Sequence, residues 1–158
     1  MKREYILIAI GWIIAIGLLI RFIPKNKIRE AMVAFTFMQL LTWLLGLSVA
    51  ELGLIEYPVR LFAHVNKTSF TFEYFVYPAI CAVFNVNFPE NKNAFGRFRY
   101  YFYICTSITI IEVVVEEYTE LIEYIHWTWH ITWITLLITF YVTRKYYEWF
   151  FQLKKKKY

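Results

Sequence analysis

Three kinds of side chain could carry chemistry in this otherwise apolar sequence: carboxylates, imidazoles and thiols. All twelve acids are glutamates, and the histidines are His64, His126 and His130. Carboxylate and imidazole are ligands that Zn²⁺, Mn²⁺ or Fe²⁺ accept, and Glu123-x-x-His126 has the i, i+3 spacing that puts two ligands on one helical face. On a helical wheel Glu112, Glu116, Glu120 and Glu123 fall at about 0°, 40°, 80° and 20°, a single stripe, while Glu117 departs to about 140°. The candidate metal-binding set is therefore Glu73, Glu112, Glu116, His126 and His130, with Glu51, Glu120 and Glu123 as further members, and the implied cofactor is a divalent metal ion. The same groups suit a proton relay, because neighbouring carboxylates do not all stay ionised and histidine titrates near neutrality. A third reading is structural: glutamates in an apolar helix also tie helices together by hydrogen bonds.

Other reaction classes lack their residues. The chain has no H-E-x-x-H, no G-x-S-x-G, no Walker loop and no Gly-rich dinucleotide turn. Without aspartate there is no aspartyl dyad or aspartyl-phosphate. Ser48, Ser69 and Ser107 sit in no nucleophile motif. The pattern favours a protein that is not an enzyme, with a metal-dependent membrane hydrolase as the enzymatic alternative.

The elements that must position these groups follow from composition. Of 158 residues, 59% are hydrophobic, 22% aromatic and only 18% charged, against about a quarter charged in an ordinary soluble domain. The apolar residues fall in blocks near the ~20 residues that cross ~30 Å of hydrocarbon. This predicts an all-α, polytopic transmembrane helix bundle forming a single domain over 1–158, with five spans at about 5–23, 31–55, 70–88, 99–123 and 127–150. Phe70 to Phe88 carries Glu73, Pro78, Asn85 and Asn87; if it is re-entrant there are four spans. No Gly or Pro follows Gly96, but one unbroken helix from Arg99 to Phe151 would be about 80 Å long, more than a bilayer needs, so an unsignalled turn between the last two spans is placed near Tyr124 to Thr128. The composition excludes a soluble enzyme, and a nucleic-acid module despite the net charge of +5.

Orientation comes from Lys and Arg in the short loops. Five spans put Lys2, Arg3, Arg60 and Lys67 on one side and the other thirteen of the 17 basic residues opposite. The expected location is the cell membrane, multi-pass, amino terminus outside and carboxyl terminus inside. Counting 1.5 Å per residue from the inner boundary puts Glu112, His130 and Glu73 each about 20 Å up, at one level in the outer leaflet. A carboxylate stripe at that depth should face the bundle or a wet cavity, since facing lipid costs at least a few kcal/mol per charge.

Remaining features read as packing or anchoring. Gly11-x-x-x-Ala15 and Gly46-x-x-x-Ala50 permit close helix contact. Trp127, Trp129 and Trp133 outside, with Tyr146, Tyr147, Trp149 and Phe150 inside, form aromatic belts. Cys81 and Cys105 fall at similar depth on adjacent spans and read as small apolar residues. Lys154 to Lys157 should attract anionic lipid head groups, and Asn66-Lys67-Thr68 is a glycosylation sequon on the outer side.

The short aromatic-rich spans, the stretch Glu112-Val-Val-Val-Glu116-Glu117, and the closing Ile131-Thr-Trp-Ile-Thr-Leu into Arg144-Lys-Tyr-Tyr-Glu-Trp-Phe-Phe resemble a family of small polytopic membrane proteins from endospore-forming Gram-positive bacteria. The resemblance covers nearly the whole chain and implies a bacterial inner membrane, with a role in sporulation, but it carries over no site residue. Two functions stay open. One is an outer-leaflet Glu/His cluster that binds a cation or relays protons, within a homo-oligomer or beside another membrane protein. The other is a structural or partner-binding subunit without its own activity.

Overall fold

A computed structural model of the chain describes residues 2–152, so the Lys154 to Lys157 cluster lies outside the described residues. Five helices run back and forth: α1 (Lys2–Phe22), α2 (Ile28–Glu51), α3 (Tyr77–Val86), α4 (Ala94–Tyr118) and α5 (Trp129–Phe150). A π-helical segment, Phe72–Val76, leads into α3, and two short strands, β1 (Ile55–Glu56) and β2 (Glu123–Tyr124), pair antiparallel. Among the described residues, three helices are long and apolar enough to cross a membrane, over Arg3–Phe22, Lys25–Glu51 and Ala94–Tyr118. The apolar helix Phe72–Val86 is shorter. The last helix has 22 residues, but Arg144, Lys145 and Glu148 make its final turns polar.

Local chemistry explains the boundaries. Pro24 stops α1, because it has no N–H and biases the residue before it away from helix. At the end of α2, Gly53 adopts φ of +65°, a conformation that favours glycine. Its N–H bonds the Ala50 carbonyl and that of Leu54 bonds the Val49 carbonyl, a Schellman closure. Asn93 caps α4, its side chain accepting from the Gly96 N–H at 2.8 Å. The other end of α4 falls at Tyr118, after three consecutive valines and the Glu116-Glu117 pair. β-branched residues crowd the turn before them, and negative charge opposes the carbonyl end of the helix dipole.

The segment that reads as the weakest span is the centre of the bundle. α3 packs on α1, α2 and α5, and Ala79, Cys81 and Ala82 are completely buried. Of the segment's polar residues Asn85 is buried in protein and Glu73 half-buried, while Asn87 is exposed at its end. Around it lies the core of Met38, Tyr77, Cys81, Phe84, Tyr101, Cys105, Leu136 and Phe140, in which both cysteines are free thiols. The α2–α3 and α4–α5 connections meet over one end. Ile55 pairs with Tyr124 and Glu56 with Glu123, and Val59 N–H bonds the Glu120 carbonyl. This is the capped end; the opposite, basic end holds the α1–α2 and α3–α4 connections.

At the basic end Arg144, counted among the thirteen Lys and Arg of the inner side, is only 1% exposed. Its guanidinium bonds Glu90, Glu148 Oε1 at 3.2 Å and the Asn85 carbonyl at 3.3 Å, and sits 4.1 Å from the Phe88 ring centroid. Lys27 bonds the Val86 carbonyl at 3.4 Å. Two cations thus meet the carbonyl end of α3, where helix dipoles favour positive charge. Tyr147, expected in an aromatic belt, is instead buried and donates to Glu30 Oε2 at 2.7 Å.

Candidate functional site

The site begins with Pro78. In the π segment the Tyr77 N–H bonds back to the Phe72 carbonyl, so the next donor in that pattern would be residue 78, and proline has none. The Glu73 carbonyl is left over and accepts from Thr42 Oγ1 at 2.5 Å. The Tyr74 carbonyl, four residues before Pro78, accepts from Gln39 Nε2 at 2.9 Å. Polar residues of α2 thus satisfy backbone that the proline orphans, as a low-dielectric environment demands. π segments of this kind are frequent at functional sites, and this one carries Glu73.

Gly46 makes room for that side chain. A methyl group at position 46 would stand 2.8 Å from Glu73 Cγ and 2.7 Å from Thr68 Oγ1. Gly46 therefore admits Glu73 as well as allowing helices to approach. Glu73 Oε1 accepts from the Tyr57 hydroxyl at 3.1 Å. Tyr57 lies in the cap, where burial first, and then the Glu73 and Glu112 carboxylates, push its phenol well above its usual pKa. It remains a neutral donor.

Glu112 is held differently. Its Oε2 accepts from the Tyr77 hydroxyl, and its Oε1 from Tyr124 at 2.5 Å and Thr132 at 3.0 Å. Trp127 Nε1 donates to Thr132 Oγ1 at 2.8 Å, so one carboxylate joins α3, α4, the cap and α5. Burial and the Glu112 charge also raise the Tyr124 phenol, which keeps it protonated.

Both glutamates line one cavity of about 130 Å³ between α2, α3 and α5. The wall carries no lysine, arginine or histidine. Its hydroxyl protons are committed: Thr42 donates to backbone, as do Thr135 and Thr139, and Thr132 donates to Glu112. What the cavity presents is carboxylate and hydroxyl lone pairs.

The predicted metal cluster does not assemble. Among the described residues, no group of three or more His, Cys, Asp or Glu is placed to hold a metal ion. Glu73 and Glu112 come together, but His130 is exposed and stacks on Trp129 with ring centroids 3.4 Å apart. Equal depth did not set rotation about α5. His126 is exposed, and Glu123-x-x-His126 lies in strand and turn rather than on a helix. The four-glutamate stripe is cut because α4 ends at Tyr118, leaving Glu120 and Glu123 exposed in the cap. Glu116 is half-buried and does not line this cavity. Glu51 pairs with Lys67 at 2.8 Å on the surface, and the sequon's Thr68 is fully buried.

Sequence reasoning missed Tyr57, Tyr77, Tyr124, Thr42 and Thr132. One signal was present: Thr132, Thr135, Thr139 and Thr143 recur at near-helical spacing, a hydroxyl stripe along α5. The tyrosines carried no such mark, being 3 of 13 in an aromatic-rich chain. No protein-family model, curated protein or solved structure matches this chain.

Proposed function

We propose that the protein is a five-span membrane protein, amino terminus outside, that binds a cation or exchanges protons at Glu73 in the outer half of the bundle. The observation that carries this reading is the uncompensated cavity: two carboxylates from two elements, an acceptor-only wall and no cationic side chain. Two such charges in a low-dielectric space repel, so the pair holds a proton or a bound cation. Glu112 is the fixed member, since both its oxygens are taken by hydroxyls. Glu73, with Tyr57 as its side-chain donor, is the exchanging member. The topology is supported by the four against thirteen split of Lys and Arg and by the cap, which joins the two connections assigned to the outside. The membrane of an endospore-forming bacterium is the setting the family resemblance implies.

The test is thermal stability of purified wild type, Glu73→Gln and Glu112→Gln across pH and with added sodium. Wild type should respond to both, and Glu73→Gln should be folded but unresponsive. Glu112→Gln should lose about 2 kcal/mol, since it weakens hydrogen bonds to a charged group. A Glu73→Gln protein that responds as wild type does would overturn the assignment. The second reading, a structural subunit, is favoured by the three hydroxyl bonds of Glu112, and predicts damage from Glu112→Gln with no ion response in any form.

A further inference from the structure

A second cavity, of about 210 Å³, lies on the far side of Tyr57 and Tyr77. It fills the space between α1 and α4, whose backbones do not approach as those of α2 and α3 do. Its wall is aliphatic and, at Phe72, aromatic, except where Tyr57, Tyr77 and Glu112 close it, and these three residues also line the acidic cavity. For comparison, an apolar cavity of about 150 Å³ stays dry and accepts benzene. Ile14 of α1 and Ile111 of α4 line this chamber yet are 57% and 64% exposed, so its mouth opens on the bundle's apolar flank. Gly11 lines it too, and a methyl group there would meet only Thr71 Cγ2, at 4.0 Å. Gly11-x-x-x-Ala15, read as a helix-contact motif, thus borders space.

From this we infer that the cation taken at the acidic site is a lipophilic ammonium, its hydrocarbon body in the α1–α4 chamber and its N–H groups on the oxygens of Tyr57, whose hydroxyl donates to the exchanging Glu73, and of Tyr77, whose hydroxyl donates to the fixed Glu112. The inference rests on the acidic-cavity reading. Charge complementarity selects the head group. The Tyr57 and Tyr77 protons are already given to Glu73 and Glu112, so the end wall offers acceptors to a donor and a negative charge to a cation. An anionic or phosphate-bearing head would meet repulsion there. An apolar body needs an apolar entry, and the mouth between Ile14 and Ile111 provides one from the hydrocarbon side.

The experiment uses the full chain in phosphatidylcholine nanodiscs, with octylammonium as probe and 1-octanol, octanoate and sodium as comparisons, read as shifts in thermal midpoint. Octylammonium should stabilise the wild type at concentrations where octanol and octanoate do not. Gly11→Leu, which fills the chamber, and Ile111→Trp, which narrows its mouth, should each raise the octylammonium concentration needed at least tenfold while leaving the sodium and pH responses intact. An unchanged octylammonium response in either folded variant overturns the inference and leaves the acidic-site reading standing. So does stabilisation by octanol equal to that by octylammonium. Absence of sodium, pH and octylammonium responses in wild type overturns both. If neither variant folds, competition in wild type decides: mutual displacement of sodium and octylammonium supports a shared site, and additive shifts overturn it.

Discussion

The two ends of the bundle treat their carboxylates in opposite ways. At the basic end Glu90 and Glu148 meet the guanidinium of Arg144, Glu148 also meets Lys145 at 3.0 Å, and charge is cancelled within the chain. At the capped end Glu73 and Glu112 meet only neutral hydroxyls. Hydrogen bonds from phenols and threonines orient a carboxylate without neutralising it. An ion pair that closes on itself is architecture, whereas a pair of carboxylates closed only by hydroxyls leaves a charge for something outside the chain to complete.

The largest break in this contrast is Arg144→Met. Hydrogen bonds to a charged group are each worth about 1.5–3 kcal/mol, and the buried Arg144 guanidinium bonds both Glu148 and the Asn85 carbonyl at the end of α3 and covers Phe88. We expect a thermal midpoint far below that of Glu73→Gln, with any residual folded protein keeping its sodium response. Similar midpoints for the two variants would erase the distinction between a structural end and an exchanging end.

What the sequence made legible was the part governed by hydrophobicity along the chain. The five apolar blocks correspond to five helices, three of them long and apolar enough to cross a membrane, but α4 ends at Tyr118, before the turn expected near Tyr124 to Thr128. Glu73 and Glu112 were recognised as deep and paired because depth follows from counting residues. Rotation does not: His130, counted to the same depth, is exposed, since packing of α5 through Leu136 and Phe140 decides its facing. Arg144 was misplaced for a related reason. Charge near a helix end reads as interfacial, and only the convergence of Glu90, Glu148 and the Asn85 carbonyl makes its burial tolerable. The role of Pro78 was half visible, because a proline in a span announces orphaned carbonyls, but which side chains satisfy them depends on the face α2 presents.

Gly46→Ala should have an intermediate effect and sharpen the capped half of the comparison. The new methyl would press on Glu73 Cγ at 2.8 Å and Thr68 Oγ1 at 2.7 Å, closer than real contacts allow. Overpacking of this kind typically costs about 1–3 kcal/mol. Because the neighbour that must yield is the exchanging carboxylate, the ion response should fall along with the midpoint, whereas Arg144→Met lowers the midpoint alone. A Gly46→Ala protein with wild-type midpoint and sodium response would show that Glu73 is not held where the cavity requires it.

The smallest effect belongs to Lys67→Met. Lys67 and Glu51 form an ion pair at the capped end, but their side chains are 64% and 70% exposed, so water screens the pair and ordering two long side chains offsets much of the attraction. Exposed pairs are worth about 0–1 kcal/mol. The midpoint should therefore move by no more than the low end of that range, and the pH and sodium responses should stay at wild-type values. The variant is informative because it changes the charge at the capped end by one unit without touching the cavity. If general surface potential drove cation binding, removing Lys67 would strengthen the sodium response, and raising ionic strength would abolish that gain, since exposed charges are screened over about 10 Å at 0.1 M salt. If the response instead belongs to Glu73 and Glu112 inside the bundle, Lys67→Met leaves it unchanged while Glu73→Gln removes it.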